Sequence, residues 1–249
     1  MSEGPGNAPP RTRRLERWEL AALFFVHAGA VGMWQVCFGS VLKAYGLEHY
    51  IAYAYACSAV SAFISPMVIG ALADQFLAPA RLLRWLAAAA AVALALAFTA
   101  IEQGWNPLLM LLFLQLHSLC ATPTASLSTS IVLARLDDPR REFGGIRVWA
   151  TFGWMAAGCL VSWGLAADAS TRSGFAAAIT WAGVALISFF LPNVTPKDAG
   201  NPRSFRDLFG LEALGLFRDR DHRAVFITAA LFNAPLAAFY PYTPIHLQA

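Results

Sequence analysis

Long apolar stretches separated by short polar segments dominate the chain. Seven of these stretches are long enough to cross a bilayer, which takes about 20 mainly apolar residues per helix. They cover residues 20–42, 51–73, 82–100, 107–133, 145–166, 174–191 and 224–247. The pattern predicts an all-α membrane protein with very little of the chain outside the bilayer.

The 18 Lys and Arg residues fall almost entirely in alternate loops. They precede the first predicted span and fill the loops after the second, fourth and sixth spans, whereas the other loops hold only Lys43 and Arg172. Because cytoplasmic loops carry the excess of Lys and Arg, we expect the amino terminus to be cytoplasmic. The regular alternation also supports the number of spans.

The loop after the sixth span is the longest and contains large apolar residues at near-helical spacing. These residues are Phe205, Leu208, Phe209, Leu211, Leu214 and Phe217. Charged residues lie between them, which is typical of an amphipathic helix on a membrane surface. We therefore predict a cytoplasmic amphipathic linker over residues 193–223.

Composition agrees with a membrane protein and argues against several other classes. Apolar residues make up 58% of the chain and charged residues 13%, compared with about 25% charged in soluble domains. The net charge of +3 is explained by the basic loops, so we expect no nucleic-acid partner. The four cysteines lie in apolar stretches without paired spacing, so we expect neither disulfides nor a metal site.

Arg147 is the ionisable residue of greatest interest, because charged groups inside a spanning helix are costly and often functional. Arg147, Thr151 and Trp154 are spaced i, i+4 and i+7, so they share one helix face. A guanidinium, a hydroxyl and an aromatic ring on one face can bind and stack on a polar ring-bearing ligand. The alternative is that Arg147 extends to the lipid headgroups.

The first and fourth spans hold the other polar candidates. Trp34 and Gln35 lie deep in the first span, whereas His27 is expected to face the amino-terminal interface. His117 in the fourth span is either a ligand contact or a satisfied packing residue. Pro123 is expected to break the fourth span. The break either frees backbone groups that line a wet cavity or is a structural kink without ligand contact.

No catalytic arrangement accompanies these residues. The sequence has no HExxH motif or glycine-rich phosphate loop, and no Ser, His and Asp set stands at a usable spacing. The last predicted span has no Lys that could form a retinal Schiff base. We therefore expect the protein not to be an enzyme or a retinal receptor.

Several motifs together resemble one transporter family. In order, they are Gly32-x-Trp34, Gly39-Ser40, Pro66, Gly70-Ala71-Leu72-Ala73-Asp74, Pro123-Thr124, Leu127, Ile146-Arg147-Val148-Trp149-x-Thr151-x-Gly153 and Leu208-Phe209-Gly210-Leu211-Glu212-Ala213-Leu214. Their order and spacing resemble the bacterial nucleoside:proton symporters of the major facilitator superfamily, over nearly the whole chain. The segment Gly70 to Asp74 is similar to the superfamily's signature, with Gln75 replacing the usual basic residue.

The resemblance implies a twelve-helix fold of two six-helix bundles around a central substrate site. It implies that Arg147, Thr151 and Trp154 contact a nucleoside and that Gly70 and Asp74 belong to a cytoplasmic gate. It also implies that a proton gradient drives transport without a cofactor. Trp34, Gln35 and His117 are further candidate substrate contacts.

The seventh span departs from the family pattern. Ala237 and Tyr240 stand where the family carries a Gln and an Asn toward the substrate, and His117 replaces an Asn of the fourth span. Tyr240 is therefore a candidate contact for an altered solute. The alternatives are a sugar or oligosaccharide proton symporter and a membrane protein that does not transport.

The resemblance also implies a domain layout. Residues 1–17 form a cytoplasmic segment, 18–192 a six-helix bundle, 193–223 the linker and 224–249 the first helix of a second bundle. We expect the 249-residue chain to be a partial product or a fragment that cannot alternate access alone. The full-length protein is expected to be a monomer in the bacterial inner membrane.

Overall fold

The computed structural model describes residues 10–75, 78–191 and 211–247. In order, the helices are α1 (Pro10–Gln35), α2 (Phe38–Ala44), α3 (Ile51–Gln75), α4 (Pro79–Glu102), α5 (Pro107–Leu133), α6 (Pro139–Cys159), α7 (Arg172–Phe190) and α8 (Arg220–Leu247). Short 3-10 helices cover Glu48–Tyr50 and Leu211–Arg218, and a π turn covers Leu160–Gly164. Within the described ranges no strand occurs, as predicted for an all-α protein.

Four helical segments of the described chain are long and apolar enough to cross a membrane by length and composition. They are α1 together with α2 (Glu16–Ala44), α4, α5 and α7. The other predicted spans correspond to α3, α6 and α8, which are helical. That these three also cross the bilayer stays a prediction.

The fifth predicted span differs from the structure in its limits. Residues 145–166 were expected to form one helix, but α6 begins at Pro139 and its α-helical part ends at Cys159. Asp138 caps the earlier start, because its side chain accepts a hydrogen bond from the Arg140 backbone N–H at 3.1 Å, and Pro139 suits the first helical position. The span prediction had followed apolarity and so missed a polar first turn.

Pro123 does not break the fourth predicted span, so that prediction is wrong. Helix α5 runs continuously through Pro123 from Pro107 to Leu133. A proline leaves the carbonyl four residues earlier without its helical partner, which here is Leu119. The Ser65 hydroxyl of α3 donates to that carbonyl at 2.9 Å, so the freed group is satisfied by a neighbouring helix.

Ser65 is the last member of a polar stripe that joins α3 to α5. The Gln115 side-chain amide donates to Ser61 Oγ at 2.8 Å, and the Cys57 thiol lies 3.8 Å from the Leu111 carbonyl. Each of these pairs, like Ser65 and Leu119, joins residues 54 positions apart. A constant offset means that α3 and α5 run parallel. This is expected for the second and fourth predicted spans, because successive spans cross the membrane in opposite directions.

Helix α1 packs against α6 and α7, and its backbone lies very close to that of α6 at Gly153. A Cβ added at Gly153 would lie 2.0 Å from the Phe25 carbonyl oxygen of α1. Across the same contact, a Cβ at Gly32 would lie 3.2 Å from Cδ2 of Trp154. Small residues allow such close approach between helix backbones in membranes.

Ion pairs fasten the predicted cytoplasmic end of the same helix pair. Arg17 of α1 pairs with Glu142 of α6. Arg135, in the loop after α5, lies 3.6 Å from Glu16 and 3.8 Å from Glu19. The side chain of Arg135 is only 11% exposed, so this loop is held against the first turns of α1.

The predicted amphipathic linker is only partly covered by the structure. Residues 193–210 lie outside the described ranges, and Leu211–Arg218 forms a 3-10 helix. Phe217 stacks on Phe226 of α8 with ring centroids 4.9 Å apart. Asp219 precedes α8 and accepts hydrogen bonds from the backbone N–H groups of Asp221 and His222, which lower the pKa of its carboxyl.

The Gly153 contact predicts the effect of adding a single methyl group. Gly153→Ala places a Cβ against the Phe25 carbonyl, so α1 and α6 must separate. Such overpacking costs about 1–3 kcal/mol, and we expect a lower midpoint in thermal unfolding of the detergent-solubilised protein.

Gly158 provides the matched control on the same helix, because a Cβ there meets nothing within 4 Å. Gly158→Ala should leave the midpoint unchanged or raise it, since Ala favours helix by about 1 kcal/mol over Gly. Equal midpoints for the two variants would contradict the close contact.

Candidate functional site

A cavity of about 520 Å³ lies between α1, α5 and α6. We call it the outer cavity. Its lining residues are Phe24, His27, Ala28, Val31, Gln35, Ala125, Thr129, Arg147, Ala150, Thr151, Trp154 and Met155. The lining combines one cation, hydroxyls and aromatic rings, a mixture that suits an uncharged polar ligand with a ring.

The face of α6 predicted from sequence spacing borders this cavity. Arg147, Thr151 and Trp154 all line it, and the Arg147 guanidinium carbon lies 5.6 Å from the ring centroid of Phe24. Arg147 therefore stands beside α1 at the cavity. That Arg147 faces a ligand rather than the headgroups stays a prediction.

A second, smaller cavity of about 210 Å³ adjoins the outer one. We call it the inner chamber. The two cavities share His27, Val31, Gln35 and Ala125. The chamber is further lined by Trp34, Ser58, His117, Ser118, Ala121, Thr122 and Trp181.

His27 stands at the junction of the two cavities, and its orientation is fixed by α5. The Thr124 hydroxyl donates to the Ala121 carbonyl at 2.5 Å, so its single proton is used. Its oxygen must then accept from His27 Nε2, which lies 2.8 Å away. The neutral imidazole of His27 is thus protonated at Nε2 and has an acceptor lone pair at Nδ1.

His117 is held in the opposite tautomer. Its Nδ1 lies 2.9 Å from the Ala90 carbonyl oxygen of α4, and a carbonyl can only accept. Nδ1 therefore carries the proton, and Nε2 of the neutral ring is an acceptor. The side chain is only 2% exposed, so this hydrogen bond fixes the ring within the packed bundle.

Two tryptophan rings contact the imidazoles. Trp181 of α7 contacts His27 and His117 edge to face, with centroids 5.3 and 5.7 Å apart. Trp34 also contacts His117 edge to face, with centroids 5.3 Å apart. Both indole nitrogens are buried without a hydrogen-bond partner, so packing rather than hydrogen bonding holds these two rings.

The structure thus brings together six of the nine residues proposed from sequence. Arg147, Thr151 and Trp154 line the outer cavity, Trp34 and His117 the inner chamber, and Gln35 both. The remaining three are Gly70 and Asp74 in α3 and Tyr240 in α8, and their burial and contacts are not among those that the structure describes.

Two residues of the site were not predicted from the sequence. His27 was expected near the amino-terminal interface, but it is 9% exposed and borders both cavities. Trp181 was not proposed at all, although it is 1% exposed and contacts both histidines. The sequence could have indicated that His27 belongs to the site, because it lies two helical turns before Trp34 on the same side of α1.

Comparison with solved structures defines the class of protein. Two crystal structures of the nucleoside transporter NupG superpose on this chain with TM-scores of 0.76 and 0.71. Both are 24% identical to it, and the matches cover 91% and 93% of this chain and 57% of theirs. The chain therefore has the major facilitator fold over the part that it shares with these structures.

Sequence comparison then gives the family. A model described as Nucleoside H+ symporter matches residues 16–248, and the chain belongs to that family. This confirms the resemblance found in the motifs.

Named relatives agree with this assignment. The putative nucleoside transporter YegT of Escherichia coli is 33% identical over 235 residues, which are 89% of this chain and 53% of YegT. The nucleoside permease NupG of Escherichia coli is 26% identical over 226 residues, covering 88% of this chain and 52% of NupG. The chain spans about half the length of the curated relatives that it matches.

The contact between His27 and Thr124 predicts different stabilities for two substitutions at Thr124. Thr124→Val removes the hydroxyl that accepts from His27 Nε2 and should lower the free energy of unfolding by about 0.5–1.5 kcal/mol. Thr124→Ser keeps the hydroxyl and should stay closer to the original protein. Unfolding in mixed detergent micelles, followed by circular dichroism, measures both.

A Val variant as stable as the original protein would show that the hydrogen bond contributes nothing. It would also remove the basis for the His27 tautomer.

Proposed function

We propose that the chain forms part of a proton-driven nucleoside symporter and supplies one side of its substrate site. The observation that carries this proposal is the α6 face of Arg147, Thr151 and Trp154 bordering the outer cavity. Membership of the Nucleoside H+ symporter family supports it. The proposed role is transport, without enzymatic chemistry and without a cofactor.

The chemistry of this face suits a nucleoside base. An indole such as that of Trp154 can stack on a planar heteroaromatic ring. The guanidinium of Arg147 is donor-only and complements the carbonyl oxygens and ring nitrogens of a base. The Thr151 hydroxyl adds a group that can donate or accept.

The layout of the whole transporter is part of the same proposal. Residues 18–192 form the first six-helix bundle, 193–223 a cytoplasmic linker and 224–249 the start of a second bundle. Asp74 and Gly70 act in a cytoplasmic gate, and Tyr240 contacts the solute from the second bundle. The protein works as a monomer in the bacterial inner membrane with its amino terminus in the cytoplasm, and the proton gradient drives uptake.

Binding of labelled uridine to the chain in lipid nanodiscs tests the proposal. We expect saturable binding that unlabelled nucleosides displace and that lactose and other oligosaccharides do not. Arg147→Ala should weaken uridine binding by about tenfold or more, because a hydrogen bond to a charged group contributes about 1.5–3 kcal/mol.

Arg140→Ala is the matched control, because Arg140 is an exposed arginine two turns earlier on the same helix. It should bind uridine like the original protein. Displacement by oligosaccharides would favour a sugar symporter instead. Absence of binding by any of these solutes would favour a membrane protein that does not transport, and unchanged binding by Arg147→Ala would remove this residue from the site.

A further inference from the structure

A groove of about 520 Å³ lies on the exposed surface between α4 and α5. On α4 it extends from Trp85 to Leu96, and on α5 from Phe113 to Cys120. We call it the α4–α5 groove. It shares no lining residue with the outer cavity or the inner chamber. Every residue that lines it is apolar or a cysteine, so the groove suits a hydrocarbon chain rather than a polar solute.

Small side chains give the groove its depth. Ala88, Ala89 and Ala93 of α4 line it and leave space between the two helices. Beside them, Trp85 and Val92 are 65% and 61% exposed, so large apolar side chains border the groove without being covered by the bundle. A contiguous exposed apolar surface of this kind marks a site of interaction.

The length of the groove corresponds to one leaflet of a bilayer. From Trp85 to Leu96, α4 rises by about 16 Å, at about 1.5 Å per residue. The hydrocarbon core of a bilayer is about 30 Å thick, so one leaflet contributes about 15 Å. Trp85 lies at the end of the groove nearest the predicted cytoplasmic surface, and tryptophan is enriched at membrane–water interfaces.

A basic residue lies at the same end of the groove. Arg81 precedes Trp85 by four positions on α4, so the two residues share one helix face. Arg81 is exposed, and helical side chains tilt toward the amino terminus, which carries its guanidinium toward the headgroups. Within the described residues, the Arg81 side chain makes no hydrogen bond or ion pair.

The neighbouring arginine, Arg84, is instead engaged with α7. Its Nη2 donates to the Ser188 carbonyl at 3.1 Å. Its guanidinium carbon lies 3.6 Å from the ring centroid of Phe189. Arg81 is therefore the cation that a ligand of the groove meets.

We propose that the α4–α5 groove binds one anionic phospholipid of the cytoplasmic leaflet, with an acyl chain along the groove and the phosphate at Arg81. The cytoplasmic leaflet carries anionic lipids, and basic sites between helices on that side bind their headgroups. A guanidinium forms strong charge-assisted hydrogen bonds with a phosphate. The proposal uses the predicted cytoplasmic position of the start of α4 and is independent of which solute is transported.

Native mass spectrometry of the detergent-solubilised chain tests this proposal. The chain is titrated with phosphatidylglycerol, which is anionic, or with zwitterionic phosphatidylethanolamine of the same acyl chains. We expect one phosphatidylglycerol to bind with about 5-fold higher affinity, the effect of one basic residue near the membrane surface. Arg81→Gln should abolish this preference, whereas Arg81→Lys keeps the charge and should retain it.

Arg140→Gln is the matched control for charge, because Arg140 is an exposed arginine in the first turn of α6. It lies at the same predicted side of the membrane and does not border the groove. It should therefore keep the preference for phosphatidylglycerol.

Ala89→Phe tests the groove itself. Ala89 is exposed, so the added ring should fill the groove without disturbing the core, and the lipid-free unfolding midpoint should stay unchanged. We expect this variant to lose affinity for both lipids. Ala182→Phe is the matched control, because Ala182 is an exposed alanine of α7 outside the groove, and it should bind both lipids like the original protein.

Several outcomes would overturn the proposal. Equal affinities of the original chain for the two lipids, or a preference that persists in Arg81→Gln, would remove the headgroup contact. Equal lipid binding by Ala89→Phe and Ala182→Phe would remove the groove. A lipid-free dimer that Ala89→Phe dissociates would place a second copy of the chain there instead. Each of these results leaves uridine binding intact, because the groove lies apart from both cavities.

Discussion

The backbone contact between α1 and α6 at Gly153 sets the geometry on which the rest of the site depends. With no side chain at Gly153, the two helices approach until a Cβ would lie 2.0 Å from the Phe25 carbonyl. This approach places Arg147 beside Phe24 and brings the α6 face opposite His27. The ion pair between Arg17 and Glu142 fastens the same two helices at one end.

Much of the fold was predictable because it depends on local patterns. Apolar runs predicted the positions of the long helices, and the predicted fourth span, residues 107–133, has the same limits as α5. The i, i+4, i+7 spacing placed Arg147, Thr151 and Trp154 on one face, and all three border one cavity. These features follow from the helical period alone.

The errors have a different origin, because they depend on contacts between distant segments. Pro123 was expected to break its helix, but the sequence does not reveal that Ser65 supplies a donor for the Leu119 carbonyl. His27 looked peripheral because its partner, Thr124, lies 97 positions away. Trp181 carries no polar signature, and its importance comes only from the two imidazoles that pack against it.

Helix α5 is synthesised after the helices with which it shares buried hydrogen bonds. The hydrogen bonds of His27, Ser61, Ser65 and His117 described above all have one end on α5. Chains are made from the amino terminus, so α1 and α3 are synthesised before their partner exists. A ribosome stalled before residue 107 would leave His27 and the polar stripe of α3 without these partners, so their hydrogen bonds can form only after α5 has been made.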